Sequence, residues 1–297
     1  MNPASANGST GRRWPEIAHR AAAAGLAGET LFSTRPGEIA DLAARAAGEG
    51  ARLLVAVGGD GTVNETVNGL LHTGASDVEL AVVSRGTGTD FVRSLGIPGD
   101  VDRAVAVARD GRVRVVDVGR ARYRAWDGSP AESYFANFAG AGISGAIARR
   151  ANASSKALGG RLSFMWATVA VFAGWESAPA VVTVDGERRS GRMFEILAMN
   201  GEYTAGGMRM APGACADDGL LDVVLVGDVT KADFVLTFPK VYRGRHLGHP
   251  KIELLRGAAV TVETDEALPI ALDGEQPGTT PVTFEVVPQA LHVRVPG

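Results

Sequence analysis

The first third of the chain alternates short apolar runs with stretches of helical period. Leu31-Phe32-Ser33-Thr34, Leu53 to Val57 and Leu80 to Val83 read as short strands bounded by turn residues. Between them, Pro15 opens a helix that runs through the alanines to a C-cap at Gly25, and Pro36 and Glu38 open a second that ends near Gly48. Val63, Val67, Leu70 and Leu71 mark a third at helical spacing, and Asp100 caps one that ends at Asp110-Gly111. Alternation of this kind predicts a parallel sheet with helices on both faces.

After Val113 the pattern changes. Val113–Val118, Ser133–Phe138, Ala180–Val184, Phe194–Met199, Leu221–Val226, Ala259–Thr264, Ile270–Leu272, Val282–Val287 and Leu291–Val295 read as strands, several separated by Asp-Gly turn pairs. Helices are expected near Ile143–Ala151, Leu162–Trp175 and Lys231–Phe238. The expected organisation is an α/β domain over residues 1–115 and a mainly antiparallel β-sandwich over 116–297.

The most informative stretch is Val55-Ala56-Val57-Gly58-Gly59-Asp60-Gly61-Thr62-Val63-Asn64-Glu65. A strand, a glycine turn and a helix start gather main-chain N–H groups at one point, where an anion such as phosphate is favoured. Asp60 beside phosphates calls for a bridging cation, which suggests Mg²⁺ carried on a nucleotide. An ordinary strand-to-helix turn is the alternative. Ser84-Arg85-Gly86-Thr87-Gly88-Thr89-Asp90-Phe91 forms a second such turn. In sheets of this kind, ligands bind at the carboxyl ends of the strands, where both turns fall.

Composition narrows the function classes. The 297 residues are 45% hydrophobic and carry a net charge of −3 without a long basic block, which argues against nucleic acid as the main partner. Cys215 is the single cysteine, so no internal disulfide forms and a reducing compartment is expected. No secretory leader is visible at the start, and Leu162–Trp175 is too short to span a bilayer and reads as a buried helix. His246 and His249 read as solvated loop residues rather than zinc ligands.

The motifs, taken in order, resemble the soluble diacylglycerol kinase family, whose catalytic domain also occurs in sphingosine and ceramide kinases. The carriers are Asn2-Pro3 with the glycines after it, Gly58 to Glu65, Gly86-Thr87 with Asp90-Phe91, Asn200-Gly201, Gly206-Gly207-Met208, Ala211-Pro212, Asp218-Gly219-Leu220-Leu221-Asp222 and Asp273-Gly274-Glu275. The resemblance implies an ATP- and Mg²⁺-dependent kinase acting on the hydroxyl of a diacylglycerol-like or sphingoid lipid. Rival readings are an NAD kinase-like phosphotransferase with a soluble acceptor and a catalytically silent nucleotide- or lipid-binding module.

By the same resemblance, Thr34, Gly58, Gly59, Asp60, Gly61, Thr62, Val63, Asn64, Glu65, Gly86 and Thr87 hold the nucleotide, with Asp60 near the metal. Glu275 is the implied general base, and Asp185-Gly186-Glu187 a plain hairpin turn. Cys215, Asp218 and the Leu220 carbonyl match a second, structural Mg²⁺ site; Cys215 stands where several relatives have a carboxylate, and its carbonyl or a water would substitute. Asp117 matches an acidic position of the polar network, and Arg12 and Arg13 are within reach of phosphate.

The sequence departs from the family at Ser84, Thr89 and Val92, where proline, asparagine and alanine are usual. Family members also carry a strand before the Asn-Pro loop, so an internal start is expected here. Expected partners are a lipid substrate at a membrane surface, with peripheral contact through Phe238 to Lys251, and a homodimer as a further option. The expected location is the cytoplasm, including the inner face of the membrane.

Overall fold

A computed structural model describes residues 1–86, 89–153 and 168–297. They fall into two units, Met1–Asp117 with Pro288–Gly297, and Val118–Val287. The ten C-terminal residues thus belong with the first unit, an assignment that the linear division at 115/116 does not contain.

In the first unit, α1 (Ser9–Ala23), α2 (Glu38–Gly48), β1 (Leu53–Gly58), α3 (Asp60–His72), β2 (Glu79–Ser84), α4 (Asp90–Ser94) and α5 (Val101–Asp110) follow one another. They lead into β3 (Arg112–Ala125). Strands β1 and β2 pair in parallel from Leu53↔Glu79 to Gly58↔Ser84, so both glycine turns leave neighbouring carboxyl ends. The cap of α5 forms as its sequence predicts, with the Asp100 carboxylate accepting the Arg103 amide at 3.1 Å.

Two local expectations change. Pro15 sits well inside α1, which starts at Ser9 behind a left-handed Gly8. Leu31 to Thr34 is not a regular strand. Its neighbour is Met1, whose amino group donates to the Leu31 carbonyl at 2.8 Å while the Ser33 amide returns to the Met1 carbonyl at 3.2 Å. A pairing two bonds long does not propagate a ladder.

The second unit holds β4 (Pro130–Phe135), β5 (Phe138–Gly142), α6 (Ile143–Ala153), β6 (Ala178–Val184), β7 (Glu187–Met193) and β8 (Glu195–Met199). There follow β9 (Tyr203–Thr204), β10 (Met208–Arg209), β11 (Leu221–Val226), α7 (Lys231–Val241), β12 (Ile252–Gly257), β13 (Ala259–Thr264) and β14 (Ile270–Leu272). The last strand is β15 (Gly278–Val295). One antiparallel sheet has the order β12-β11-β8-β5-β14; the other runs through β15, β13, β6 and β7, with β3 and β4 alongside β15.

Alternate side chains of both sheets fill one apolar layer that includes Phe135, Phe284, Val182, Ile196, Val223 and Val260. Phe135 meets Phe284 edge-on at 5.9 Å. The two runs predicted at Val282–Val287 and Leu291–Val295 are parts of β15. Its kink at Gln289 has φ 52°, and the buried Asp117 carboxylate accepts the Gln289 amide at 2.8 Å. After the kink, His292 and Val293 pair in parallel with Glu79 and Leu80, inside the first unit.

Of the segment expected to be a helix at Leu162–Trp175, residues 168–174 are helical. Residues 162–167 lie outside the described residues. Val169 is exposed, so the described turn is not fully buried. His246 is buried rather than solvated, its Nε2 lying 3.1 Å from the Met210 carbonyl, and burial lowers its pKa. No described helix is long and apolar enough to cross a membrane.

Candidate functional site

The glycine turn of the first unit is built by close approach. A Cβ at Gly58 would stand 2.1 Å from the Thr62 hydroxyl, so the last residue of β1 has no room for a side chain. Gly59 is the N-cap of α3 in an extended conformation, and no side chain caps the helix. The first-turn amides of α3, with the positive end of its dipole, therefore face the turn. Thr62 is buried and accepts from the Asn2 side chain at 3.3 Å, while the Asn2 amide bonds Val57 at 3.1 Å. The Asn-Pro loop is fastened to the turn in this way.

The second turn is stitched to the first. The Arg85 amide donates to the Gly58 carbonyl at 2.6 Å. Asp60 reaches across, its two carboxylate oxygens accepting the Asp90 and Phe91 amides at 3.3 and 3.4 Å, at the start of α4. These are long bonds, and a carboxylate offers about four acceptor positions. A magnesium-bound water therefore fits this donor set.

The other predicted nucleotide residues divide. Gly61 lies in the first turn of α3 with Asp60. Val63 points into the core, and Asn64 is buried with its carbonyl accepting the Asn68 side chain at 2.9 Å. Glu65 accepts the Gly37 and Ile39 amides at 3.3 and 3.0 Å, capping α2 from a different helix. Thr34 serves the same helix end, its amide and hydroxyl donating to Glu38 at 2.5 and 2.9 Å. The Thr34 amide is the first cause that holds the Glu38 carboxyl below its ordinary range. Gly86 sits at the bend after Arg85; Thr87 lies outside the described residues.

In the second unit the two Asp-Gly-Glu stretches have the same local structure. Asp185 and Gly186 have φ 45° and 90°, Asp273 and Gly274 φ 48° and 92°. Each is a two-residue hairpin turn of the kind that fits twisted strands. Each aspartate also holds a neighbouring loop. Asp185 accepts the Ala258 and Ala259 amides at 2.9 and 2.8 Å. Asp273 accepts three amides, Ala136 at 2.7 Å, Asn137 at 3.0 Å and Phe138 at 2.9 Å.

Their surroundings differ. The Asp273 loop is locked by buried asparagines: Asn200 donates to the Ala136 carbonyl at 2.8 Å, and Asn137 to the Tyr203 carbonyl at 2.6 Å. Glu275 is exposed beside this network, closing its turn with mutual 2.8 Å bonds to Leu272. Asn200-Gly201 thus serves to position the loop from which Glu275 projects.

Comparison with known proteins places the whole chain. Residues 1–121 match a family model described as the diacylglycerol kinase catalytic domain. Residues 137–295, more than half the chain, match the YegS C-terminal NAD kinase beta sandwich-like domain. The chain belongs to the diacylglycerol kinase family of lipid kinases. It is 26% identical over 295 residues to a diacylglycerol kinase of Staphylococcus carnosus, covering 99% of this chain and 93% of that protein. To a diacylglycerol kinase of Bacillus subtilis it is 27% identical over 296 residues, covering 99% and 94%. A crystal structure of a diacylglycerol kinase from Bacillus anthracis aligns with TM-score 0.70 at 23% identity, covering 99% of this chain and 94% of that one, and shares the fold.

Around Asp218 the charges are paired. The Arg256 guanidinium is paired with the Asp218 carboxylate, and its Nε lies 3.4 Å from Asp222. Leu220 donates its amide to Asp218 at 3.1 Å. Cys215 donates its thiol to Asp217 at 3.0 Å, and that bond, with burial, raises the thiol pKa and keeps it protonated. The protonated thiol is no ligand for a hard dication, so a site here would rest on the Cys215 and Leu220 carbonyls and on Asp218, whose carboxylate faces a guanidinium. Among the described residues no three His, Cys, Asp or Glu side chains gather around a metal position.

Two residues of this kinase relative were not singled out from sequence. Arg85, between the glycine turns, has a buried Nε that meets no acceptor among the described residues. An arginine inside a phosphate-type turn was the available signal. Glu195 is buried at the start of β8, accepting the Ser144 amide and hydroxyl at 2.7 Å each. Burial pushes its pKa up to about 7 against those hydrogen bonds. A lone glutamate at the head of an apolar strand carries no sequence signal for this.

Proposed function

We propose that the protein transfers the γ-phosphate of ATP to the hydroxyl of a diacylglycerol-like or sphingoid lipid. The observation that supports this most is the uncapped N-terminus of α3 behind Gly58, where a side chain has no room, next to the arginine-bearing second turn. In this reading the amides of Gly59, Asp60 and Gly61 take the phosphate oxygens, while the Thr62 amide closes the turn on the Gly59 carbonyl at 2.9 Å. Asp60, held by the α4 amides, orients the water of a nucleotide-bound Mg²⁺. Such an ion, when bound, would neutralise charge that builds up on the transferred phosphate.

Glu275 accepts the proton of the lipid hydroxyl as the new O–P bond forms and the bond to the β-phosphate oxygen breaks, releasing ADP. The Asp273 clamp fixes the loop that carries Glu275. Thr34 and Glu65 act through α2, keeping the helix start beside the turn in place rather than touching phosphate.

Labelled ATP offered with vesicles containing dioleoylglycerol, with sphingosine, or with soluble NAD separates the acceptors. Transfer to a lipid is expected, and transfer to NAD alone would overturn the reading. Glu275→Gln is expected to lower kcat by about 10² to 10⁴ while ATP affinity stays as it was. Unchanged turnover in that variant would remove Glu275 from the reaction.

A further inference from the structure

Hydrophobic side chains exposed one at a time are normal on a protein surface; grouped ones mark an interaction site. Eight large hydrophobics are exposed among the described residues. Four of them, Val169, Val235, Leu236 and Tyr242, belong to one place, α7 with its extension and the helical turn at 168–174. The two helical pieces are packed together through Phe172 and Phe234, whose rings lie 4.3 Å apart.

The inner face of α7 is accounted for. Phe234 stacks on Phe238 at 5.2 Å and meets Phe194 at 5.5 Å, and Thr237 and Val241 are buried. A capping box of Thr230 and Asp233 starts the helix. The outer face carries Val235 at 61% and Leu236 at 71% exposure, with Pro239 and Lys240 one turn on. A helix turned to water normally shows polar residues there, and this one exposes Val235 and Leu236 side by side between lysines.

The charge around that face opposes that of the whole chain. Residues 230–251 hold Lys231, Lys240, Arg243, Arg245 and Lys251 against one carboxylate, Asp233, while the chain as a whole is at −3; Glu176 and Asp228 lie at the Lys231 end, so the excess of cations is at the Lys240 to Arg245 end. Asp233 itself is engaged by Lys251 at 3.0 Å and by the Thr230 amide at 3.0 Å. Lys231 is turned to the neighbouring helical piece, donating to the Phe172 and Trp175 carbonyls, so Lys240, Arg243 and Arg245 are the cations that rim the face. An apolar stripe rimmed by cations fits an anionic bilayer surface, with the side chains entering the acyl boundary and the cations meeting phosphates.

We infer that the outer face of α7, with Tyr242 and the cations Lys240, Arg243 and Arg245, docks the protein on anionic membrane lipid. The inference deepens the lipid-kinase reading, since it names the surface that would bring the enzyme to its acceptor.

The test uses the full chain without ATP or acceptor, so it stands or falls independently of turnover. Sedimentation with phosphatidylglycerol-containing vesicles is compared with pure phosphatidylcholine vesicles. Binding to the anionic vesicles, weakened by salt, is expected. Val235→Glu with Leu236→Glu is expected to lower partitioning about tenfold or more, and Lys240→Glu with Arg243→Glu to abolish the preference for anionic lipid. Both variants keep the wild-type Tm, because the changed side chains face outwards. Unaltered vesicle binding in the Val235→Glu, Leu236→Glu variant would overturn the inference. So would equal binding to neutral vesicles, or a wild-type dimer that this variant turns into a monomer, which would assign the face to a second copy.

Discussion

Replacing Glu195 by glutamine tests a carboxyl that burial holds far above its ordinary range. The side chain is fully buried and held at the start of α6 by the Ser144 amide and hydroxyl. Room for it exists because residues 140 and 142 are glycine; a Cβ there would stand 2.7 and 3.1 Å from its carboxylate oxygens. Burial raises its pKa from 4.5 to about 7. The folded chain therefore keeps a proton that the unfolded chain has released between these two values. Stability from this group is full below pH 4.5, falls as pH rises towards 7, and is lost above it. A rise of this size corresponds to about 3 kcal/mol over the whole window, most of it between pH 5 and 8. Glutamine keeps an acceptor for Ser144 and cannot titrate. Urea unfolding of both proteins at pH 5 to 8 isolates the group as the difference between two curves. Wild type should lose about 2 to 3 kcal/mol relative to Glu195→Gln as pH rises. Parallel curves would refute the account and mean that the carboxylate is charged in the folded protein at all these values.

Three further outcomes follow from packing and charge. A Cβ at Gly69 would stand 2.3 Å from the Ala40 carbonyl oxygen, so Gly69→Ala should force α2 and α3 apart and cost about 1–3 kcal/mol in chemical denaturation; an unchanged midpoint would show that the helices yield freely. Asp273→Ala strands the amides of residues 136–138 and should cost about 2–4 kcal/mol, whereas Glu275→Gln next door should leave stability within about 0.5 kcal/mol. Without nucleotide, millimolar Mg²⁺ should leave the wild-type Tm unmoved, because Arg256 already faces Asp218. A Tm rise with Mg²⁺ that disappears in Asp218→Asn would show a dication displacing the guanidinium.

Where turn chemistry bounds a strand, its limits were legible in the sequence. The ranges Leu221–Val226, Ala259–Thr264 and Ile270–Leu272 are those observed, each followed at its C-terminal end by a turn-forming residue, Gly227, Asp265 or Asp273. β15 was not legible as one strand, because Pro288 and Gln289 have the chemistry of a break. What carries the ladder through is the Asp117 carboxylate on the Gln289 amide, a partner 172 residues away. The return of His292 and Val293 to the first unit is likewise a pairing that no local pattern encodes. α7 shows the reverse limit. Its period was readable, but which of its apolar residues meet the core depends on Phe172 and Phe194, and the charge excess around the outer face becomes a surface property only once that is known.

The candidate site shows why motif spelling and residue role separate. Asp60, Glu65 and Asp273 are acidic residues of glycine motifs, and each closes main-chain donors of another element: Asp60 those of α4, Glu65 those of α2, Asp273 those of residues 136–138. A carboxylate that accepts amides from a separate segment is fixed in direction without any need of a ligand, so an Asp60→Asn or Glu65→Gln variant would lose order around the turn as well as any contact to phosphate. Glu275 differs in kind. Its backbone closes a turn that Asp185-Gly186-Glu187 closes identically, and its side chain is exposed. A glutamine there keeps the shape of the side chain and removes its basicity, and the contrast between a silent Glu187→Gln and a slow Glu275→Gln would separate a base from a turn residue where the sequence alone spells both the same way.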